Sequence, residues 1–154
     1  MTLVGLISDT HGVMRPEALA ALRGVSHILH AGDIGSVEVL DQLRAIAPVT
    51  AVRGNNDTQP WATAIAEREV FQCEGHAIYM LHDLKELDLD PATSGFAAVI
   101  TGHSHKPVIA NKDGVVFVNP GSAGPRRFKL PVTVGLLEVE RDAVRASIRY
   151  LFHE

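Results

Sequence analysis

Seven residues with oxygen or imidazole lone pairs stand just behind short apolar runs. Asp9 and His11 follow LVGLIS, Asp33 follows HILHAG, Asn55 follows VTAVRG, His82 follows AIYML, and His103 and His105 follow AAVITG. Aspartate, asparagine and histidine without a thiolate suit Mn²⁺, Fe²⁺, Zn²⁺ or Ni²⁺, and the histidines argue against Ca²⁺ or Mg²⁺ alone. Mn²⁺ is the expected metal, with Ni²⁺, Zn²⁺ or Fe²⁺ as alternatives. A lone Asp-x-His or Gly-Asp is an ordinary turn. Five such groups in succession, each at the end of an apolar run, read as one divalent-metal site. In extended backbone, residues two apart point the same way. Asp9 and His11 are therefore expected to face one ion together, and His103 and His105 to share a site or take one ion each. Gly32, Gly54 and Gly102 stand before three of these groups, where the chain must turn sharply or let a ligand close in.

The elements that must position these residues follow from periodicity. A buried strand is expected over 3–8, a helix from Pro16 through PEALAALR, a strand over 25–31, and a helix over 37–47 capped by Ser36 and ended by Pro48. VTAVR (49–53) is a third strand, and a short helix is expected around WATAIAE. EVFQC and AIYML form two strands about a Glu74-Gly75 turn. A polar helix or loop at 83–94 precedes the strand AAVIT. VIANKDGVVFV (108–118) is a hairpin about Asp113-Gly114, and the chain closes with a hairpin about Arg141-Asp142. The front half reads βαβα and the rear half mostly hairpins, which predicts a mixed α/β fold of packed sheets with helices outside. Ligands in open α/β sheets gather beyond the carboxyl ends of parallel strands, so several such ends can meet at one crevice.

The 154 residues fit a single domain over 1–154, with 46% hydrophobic and 21% charged residues. The net charge of −4 and the absence of a basic stripe argue against stable nucleic-acid binding, and with it against a nuclease. A phosphate-bearing substrate is still compatible, because local metal charge can outweigh the global field. The single cysteine, Cys73, excludes an internal disulfide and carries no catalytic signal. No signal-peptide pattern opens the chain, and no apolar run nears the ~20 residues that span a bilayer. A cytoplasmic protein without membrane contact is expected, and a homo-oligomer is left open.

The blocks SDTHG, HAGDI, RGNND, LHD, TGHSH and NPGS, in this order and spacing, resemble the calcineurin-like metallophosphoesterase superfamily. Within it, the chain is similar to the small single-domain phosphodiesterases of bacteria and archaea. The resemblance covers nearly the whole chain. It implies a four-layer αββα fold, two mixed β-sheets packed face to face with helices on the outside. It implies two ions, one held by Asp9, His11, Asp33 and His105, the other by Asp33, Asn55, His82 and His103, with Asp33 bridging. It also implies hydrolysis of a small phosphoester, a phosphodiester above all, by in-line attack of a metal-bridging hydroxide. Phosphomonoester hydrolysis and a non-catalytic protein-binding scaffold are the alternatives. The expected catalytic residues are Asp33, Asn56 and His82.

Two positions depart from the family pattern. Asn56 stands where many members carry histidine and the similar small phosphodiesterases carry cysteine, so it can donate a hydrogen bond but cannot act as a general acid. Asp83 replaces the usual glycine after the His82 position. His30 either orients a ligand or packs in the core. Asp57 is expected to fix the loop carrying Asn55. Arg126 and Arg127 read as a solvated pair or a subunit contact, with a substrate phosphate as the alternative. Trp61 reads as core, with an apolar wall beside the site as the alternative, and His27, His76 and His153 read as packing or surface residues.

Overall fold

The computed structural model describes residues 1–152, so His153 lies outside the described residues. The chain runs β1 (Thr2–Ile7), α1 (Pro16–Ala21), β2 (His27–His30), α2 (Val37–Arg44), β3 (Val49–Ala51), β4 (Arg68–Cys73), β5 (His76–Leu81), β6 (Phe96–Ile100), β7 (Val108–Lys112), β8 (Val115–Asn119), β9 (Thr133–Glu140) and β10 (Ala143–Tyr150). The strands form two five-stranded sheets, ordered β10-β9-β1-β2-β3 and β4-β5-β6-β8-β7. Both are mixed. β1, β2 and β3 pair in parallel, as do β5, β6 and β8, while the hairpin strands run antiparallel.

Strand alternation sorts the apolar side chains into layers. Val4, Leu6, Leu29, Leu137 and Val139 from the first sheet meet Ile78, Met80, Ile100 and Val118 from the second, and this is the core between the sheets. The alternate residues of the first sheet, Ile7, Ile28, Val134 and Leu136, pack against Leu22, Val39, Leu40 and Leu43 of the two helical segments. Gly5 lets that helical layer approach, because a Cβ there would lie 2.7 Å from Leu22 Cδ2. On the outer face of the second sheet, Tyr79, Leu81 and Val99 are covered by Leu87, Leu89 and Ala92. This fourth layer is thus a 3-10 turn (Leu84–Glu86) and coil.

Several local expectations are corrected. WATAIAE forms only a 3-10 turn, Pro60–Ala62, where the Thr63 hydroxyl donates to Pro60 O at 2.7 Å and competes for a helical acceptor. Ser36 takes the extended N-cap backbone, yet its side chain makes no cap hydrogen bond. The helix it starts ends at Arg44, before Pro48, and the third strand ends at Ala51. Trp61 packs against the helix-side core. His27 stacks on Phe71 with centroids 4.3 Å apart, and His76 Nε2 meets Glu140 O at 2.9 Å. Among the described residues, no helix is long and apolar enough to cross a membrane.

Candidate metal centre

All seven candidate ligands leave the carboxyl ends of parallel strands, three from β1, β2 and β3 territory plus His11, and the rest from β5 and β6. The loops do not continue the strands in extended backbone as the residue spacing suggests. Asp9, His11, Asp33, His103 and His105 have φ of 55°, 47°, 55°, 75° and 64°, all in the left-handed region. Non-glycine residues enter that region at an energetic cost, and here the cost falls on residues with donor atoms. The two Asp/His-x-His pairs converge through tight left-handed turns.

The result is two adjoining donor groups. Asp9, His11 and His105 offer atoms within 4.8 Å of one another, and so do Asp33, His82 and His103. His11 Nε2 lies 3.8 Å from both Asp9 Oδ1 and Asp33 Oδ2. His82 Nε2 lies 3.2 Å from Asp33 Oδ2 and 3.8 Å from Asp9 Oδ1. His105 Nε2 lies 3.4 Å from Asp9 Oδ1 and 3.3 Å from His11 Nε2. Asn55 joins the second group, its Oδ1 standing 3.2 Å from His103 Nδ1. The other nitrogen of that ring, Nε2, lies 3.7 Å from Asp83 Oδ2.

Two of the three buried side-chain atoms left without a hydrogen bond among the described residues are ones a cation would need, the third being His105 Nδ1. Asp9 Oδ1 and His82 Nε2 are buried and make no hydrogen bond among the described residues. Their partner atoms are already occupied. Asp9 Oδ2 accepts from Ser8 Oγ at 2.7 Å and from the His103 N–H at 3.0 Å. His82 Nδ1 donates to Ala31 O at 2.7 Å, which fixes the tautomer and turns the Nε2 lone pair inward. Facing imidazole nitrogens with inward lone pairs repel unless a cation or proton lies between them. A divalent ion in each group fits this donor set.

Electrostatics agree with an ionised acceptor pair. Burial alone would raise Asp33, but His82 and the Asn56 N–H outweigh it and hold the carboxyl at about 2. Burial likewise opposes ionisation of Asp9, and the His105 and His82 rings and the Ser8 hydroxyl bring its pKa below the ordinary value. His82 is lifted above the usual imidazole range, its burial overcome by Asp33 and Asp9. His11 is lowered, first by burial, with the positive charge of Arg127 contributing.

Residues 2–142 match the calcineurin-like phosphoesterase superfamily domain. The chain belongs to that superfamily. It is a metal-dependent phosphoester hydrolase. A probable metallophosphoesterase of Methanothermobacter thermautotrophicus is 34% identical, covering 95% of this chain and 91% of the relative. Phosphodiesterase MJ0936 of Methanocaldococcus jannaschii is 26% identical over 94% of this chain and 98% of its own. Among solved structures, a Vps29 variant of Entamoeba histolytica superposes with a TM-score of 0.76 at 25% identity, covering 97% of this chain and 99% of that one.

Behind the donors of this calcineurin-like phosphoesterase stands a frame that residue patterns revealed only in part. Asp57 accepts from the N–H groups of Ile34, Gly35 and Gly54, so it ties the Asp33 loop to the Asn55 loop. Gly54 permits this approach, since a Cβ there would lie 2.2 Å from Asp33 Oδ1. The loop after β8 braces the site from the other side. Asn119 Nδ2 donates to Gly102 O at 2.8 Å, and Ser122 Oγ donates to Asp9 O at 2.9 Å. Ser8 and Thr10 escaped attention in the sequence. Their only signal was membership of the SDTHG block.

His30 is fully buried and joins two ligand loops. Its Nδ1 accepts from Gly32 N at 3.1 Å, so Nε2 carries the hydrogen and donates to Thr10 Oγ1 at 3.0 Å, which donates onward to Ile34 O at 2.8 Å. Burial pushes its pKa down to about 4, against the partial opposition of Asp9 and Asp57. The unfolded state therefore binds this proton first as pH falls. His30 is expected to remove on the order of 3 kcal/mol of stability between pH 6.5 and 4, with no contribution above that window. Denaturant titrations of the wild type and His30→Gln in EDTA across this range test it. A pH slope equal in both proteins would refute the assignment.

Proposed function

We propose that the protein is a dinuclear phosphodiesterase for small diesters, with Mn²⁺ the preferred metal. One ion would be held by Asp9, His11, Asp33 and His105, the other by Asp33, Asn55, His82 and His103. The convergence of six donors in two groups, with Asn55 beside His103, around the orphaned Asp9 Oδ1 and His82 Nε2 carries this reading. When bound, the ions would supply an acidified water and neutralise charge on the phosphoryl oxygens. The chain's own part is to hold the donors rigid. Asp33 presents Oδ2 to both groups while the Asn56 N–H holds Oδ1 at 2.9 Å. Asp83 faces His103 Nε2, which leaves Nδ1 toward Asn55 and the second group. A cleft of about 230 Å³ adjoins that second group and is lined by Arg53, Asn55, Arg68, His82, Asp83 and His103.

Leaving-group protonation is the weak point. Asn56 Nδ2 lies 3.4 Å from Asp33 Oδ2, so the amide stands at the site and can donate a hydrogen bond, but it releases no proton. Diesters with good leaving groups are the expected substrates. Asn56→His is expected to raise kcat/KM on an alkyl diester by ~10²-fold, the usual worth of a placed general acid, while changing bis(p-nitrophenyl) phosphate far less. An equal change on both would remove this account of Asn56.

The reading as a whole is tested with a panel of mono- and diesters assayed in turn with Mn²⁺, Ni²⁺, Zn²⁺ and Mg²⁺. Diester turnover strongest with Mn²⁺, releasing phosphomonoester that carries ¹⁸O from labelled water, is the expected result. A metal-loaded protein inert on the entire panel would favour the scaffold alternative, and faster monoester turnover would favour a phosphomonoesterase.

A further inference from the structure

The segment between Ser122 and Thr133 is a loop closed at its base and planted on the metal centre. Thr133 N donates to Ser122 O at 2.9 Å, which brings the two ends together. Gly124 packs so tightly against the Asp9–Thr10 backbone that a Cβ there would lie 2.4 Å from Thr10 O. Arg15 clamps the same point, donating from Nε and Nη2 to Gly124 O at 3.2 and 3.1 Å. Pro125 and Pro131 restrict the backbone on either side of the tip. Loops with close ends on a rigid base are frequent carriers of recognition residues.

The tip violates two rules of local structure at one residue. Leu130 N donates to Arg127 O at 3.0 Å, so Phe128 is the first central residue of a tight turn. Its φ is 52°, in a place where glycine or asparagine ordinarily serves. Its ring is also 96% exposed, the most exposed large apolar side chain among the described residues. Phe128 joins none of the hydrophobic clusters formed by the described residues. Strained backbone clusters at binding and catalytic sites. Arg127 stands beside it, exposed, on the same arm whose base at Gly124 lies against the Asp9–Thr10 backbone of the first donor group.

We infer that this arm recognises substrate, Phe128 stacking on a planar aromatic ring carried by the phosphodiester while Arg127 faces the phosphoryl group. The inference rests on the phosphodiesterase reading for its ligand class and adds the chemistry of one ester group. An aromatic ring held in water is a platform for another ring, and a guanidinium matches phosphoryl oxygens. A bare alkyl diester would leave the platform unused.

The test is a calorimetric titration of the Mn²⁺-loaded protein with diphenyl phosphate and with dimethyl phosphate, two diesters of equal charge. The wild type is expected to bind diphenyl phosphate more tightly. Phe128→Gly, which relieves the turn, is expected to lower the ratio of the two affinities about tenfold, the scale of one aromatic stack. Phe128→Trp is expected to keep the ratio. An unchanged ratio in Phe128→Gly, an equal loss in Phe128→Trp, or no binding of diphenyl phosphate by the wild type would each overturn the arm's role. Hydrolysis of bis(p-nitrophenyl) phosphate is followed in parallel. If the wild type binds with the expected preference but hydrolyses nothing, the catalytic reading falls and the recognition arm stands.

Discussion

Asp33→Asn is expected to lower kcat/KM on bis(p-nitrophenyl) phosphate by on the order of 10³-fold and to reduce bound Mn²⁺ from two ions toward one. The reason lies in the position of a single atom. Asp33 Oδ2 lies 3.2 Å from His82 Nε2 in one donor group and 3.8 Å from His11 Nε2 in the other. Its remaining oxygen is already committed to the Asn56 N–H. Asparagine keeps the shape and removes the charge, so one amide oxygen would have to serve two cations. With a pKa of about 2, Asp33 is ionised at any ordinary assay pH. Acidic loss of activity above pH 4 should therefore not titrate with this group. Metal content after dialysis and steady-state kinetics check the prediction together. Two retained ions with activity within tenfold of the wild type would show that Asp33 does not bridge.

Asp57→Ala is expected to destabilise the protein by on the order of 3–5 kcal/mol although Asp57 belongs to neither donor group. Its carboxylate is the acceptor for three backbone N–H groups, at 2.9 Å from Gly54, 3.0 Å from Ile34 and 3.1 Å from Gly35. Removing it strands the Ile34 and Gly54 donors in a buried place, where each unpaired group costs free energy. Those donors belong to the loops that carry Asp33 and Asn55, so Mn²⁺ affinity should fall with stability. Asp57→Asn keeps an acceptor oxygen and should recover about half of the loss. Urea denaturation of the metal-free proteins gives the stability difference, and calorimetric titration gives the affinity. A change below 1 kcal/mol in Asp57→Ala would mean that water takes over the carboxylate's role.

The identity of the candidate ligands was legible because each follows an apolar run that needed only local reading. Strand patterning located β1, β2, β5 and β6, and the polar residues behind them stood out. How those residues converge was not legible. The alternation of extended backbone pointed Asp9 and His11 the same way, whereas their positive φ values arise from contacts with the Asp33 loop, such as His11 N donating to Asp33 O at 2.9 Å. A partner 22 residues distant in sequence leaves no local mark on either side. Phe128 escaped notice for a related reason, since an exposed aromatic on a left-handed turn contradicts the usual residue preference. WATAIAE has a helical composition, but Pro60 at its start and the Thr63 hydroxyl hold it to one 3-10 turn. The division of strands between two sheets depends on pairings such as β1 with β9, which join Thr2 to Val139.

Each donor group draws on both sheets. Asp9 and His11 come from the first sheet and His105 from the second; Asp33 and Asn55 come from the first, His82 and His103 from the second. The spacing of the donors is therefore set by the thickness of the apolar layer between the sheets, where Leu6, Leu29, Ile78, Met80 and Ile100 meet. That layer acts as a shim. Trimming or adding a methylene there moves one half of each donor group against the other, in a core too close-packed to absorb the change silently. The volume of residues that never touch a substrate thereby becomes a tuning parameter for the reaction.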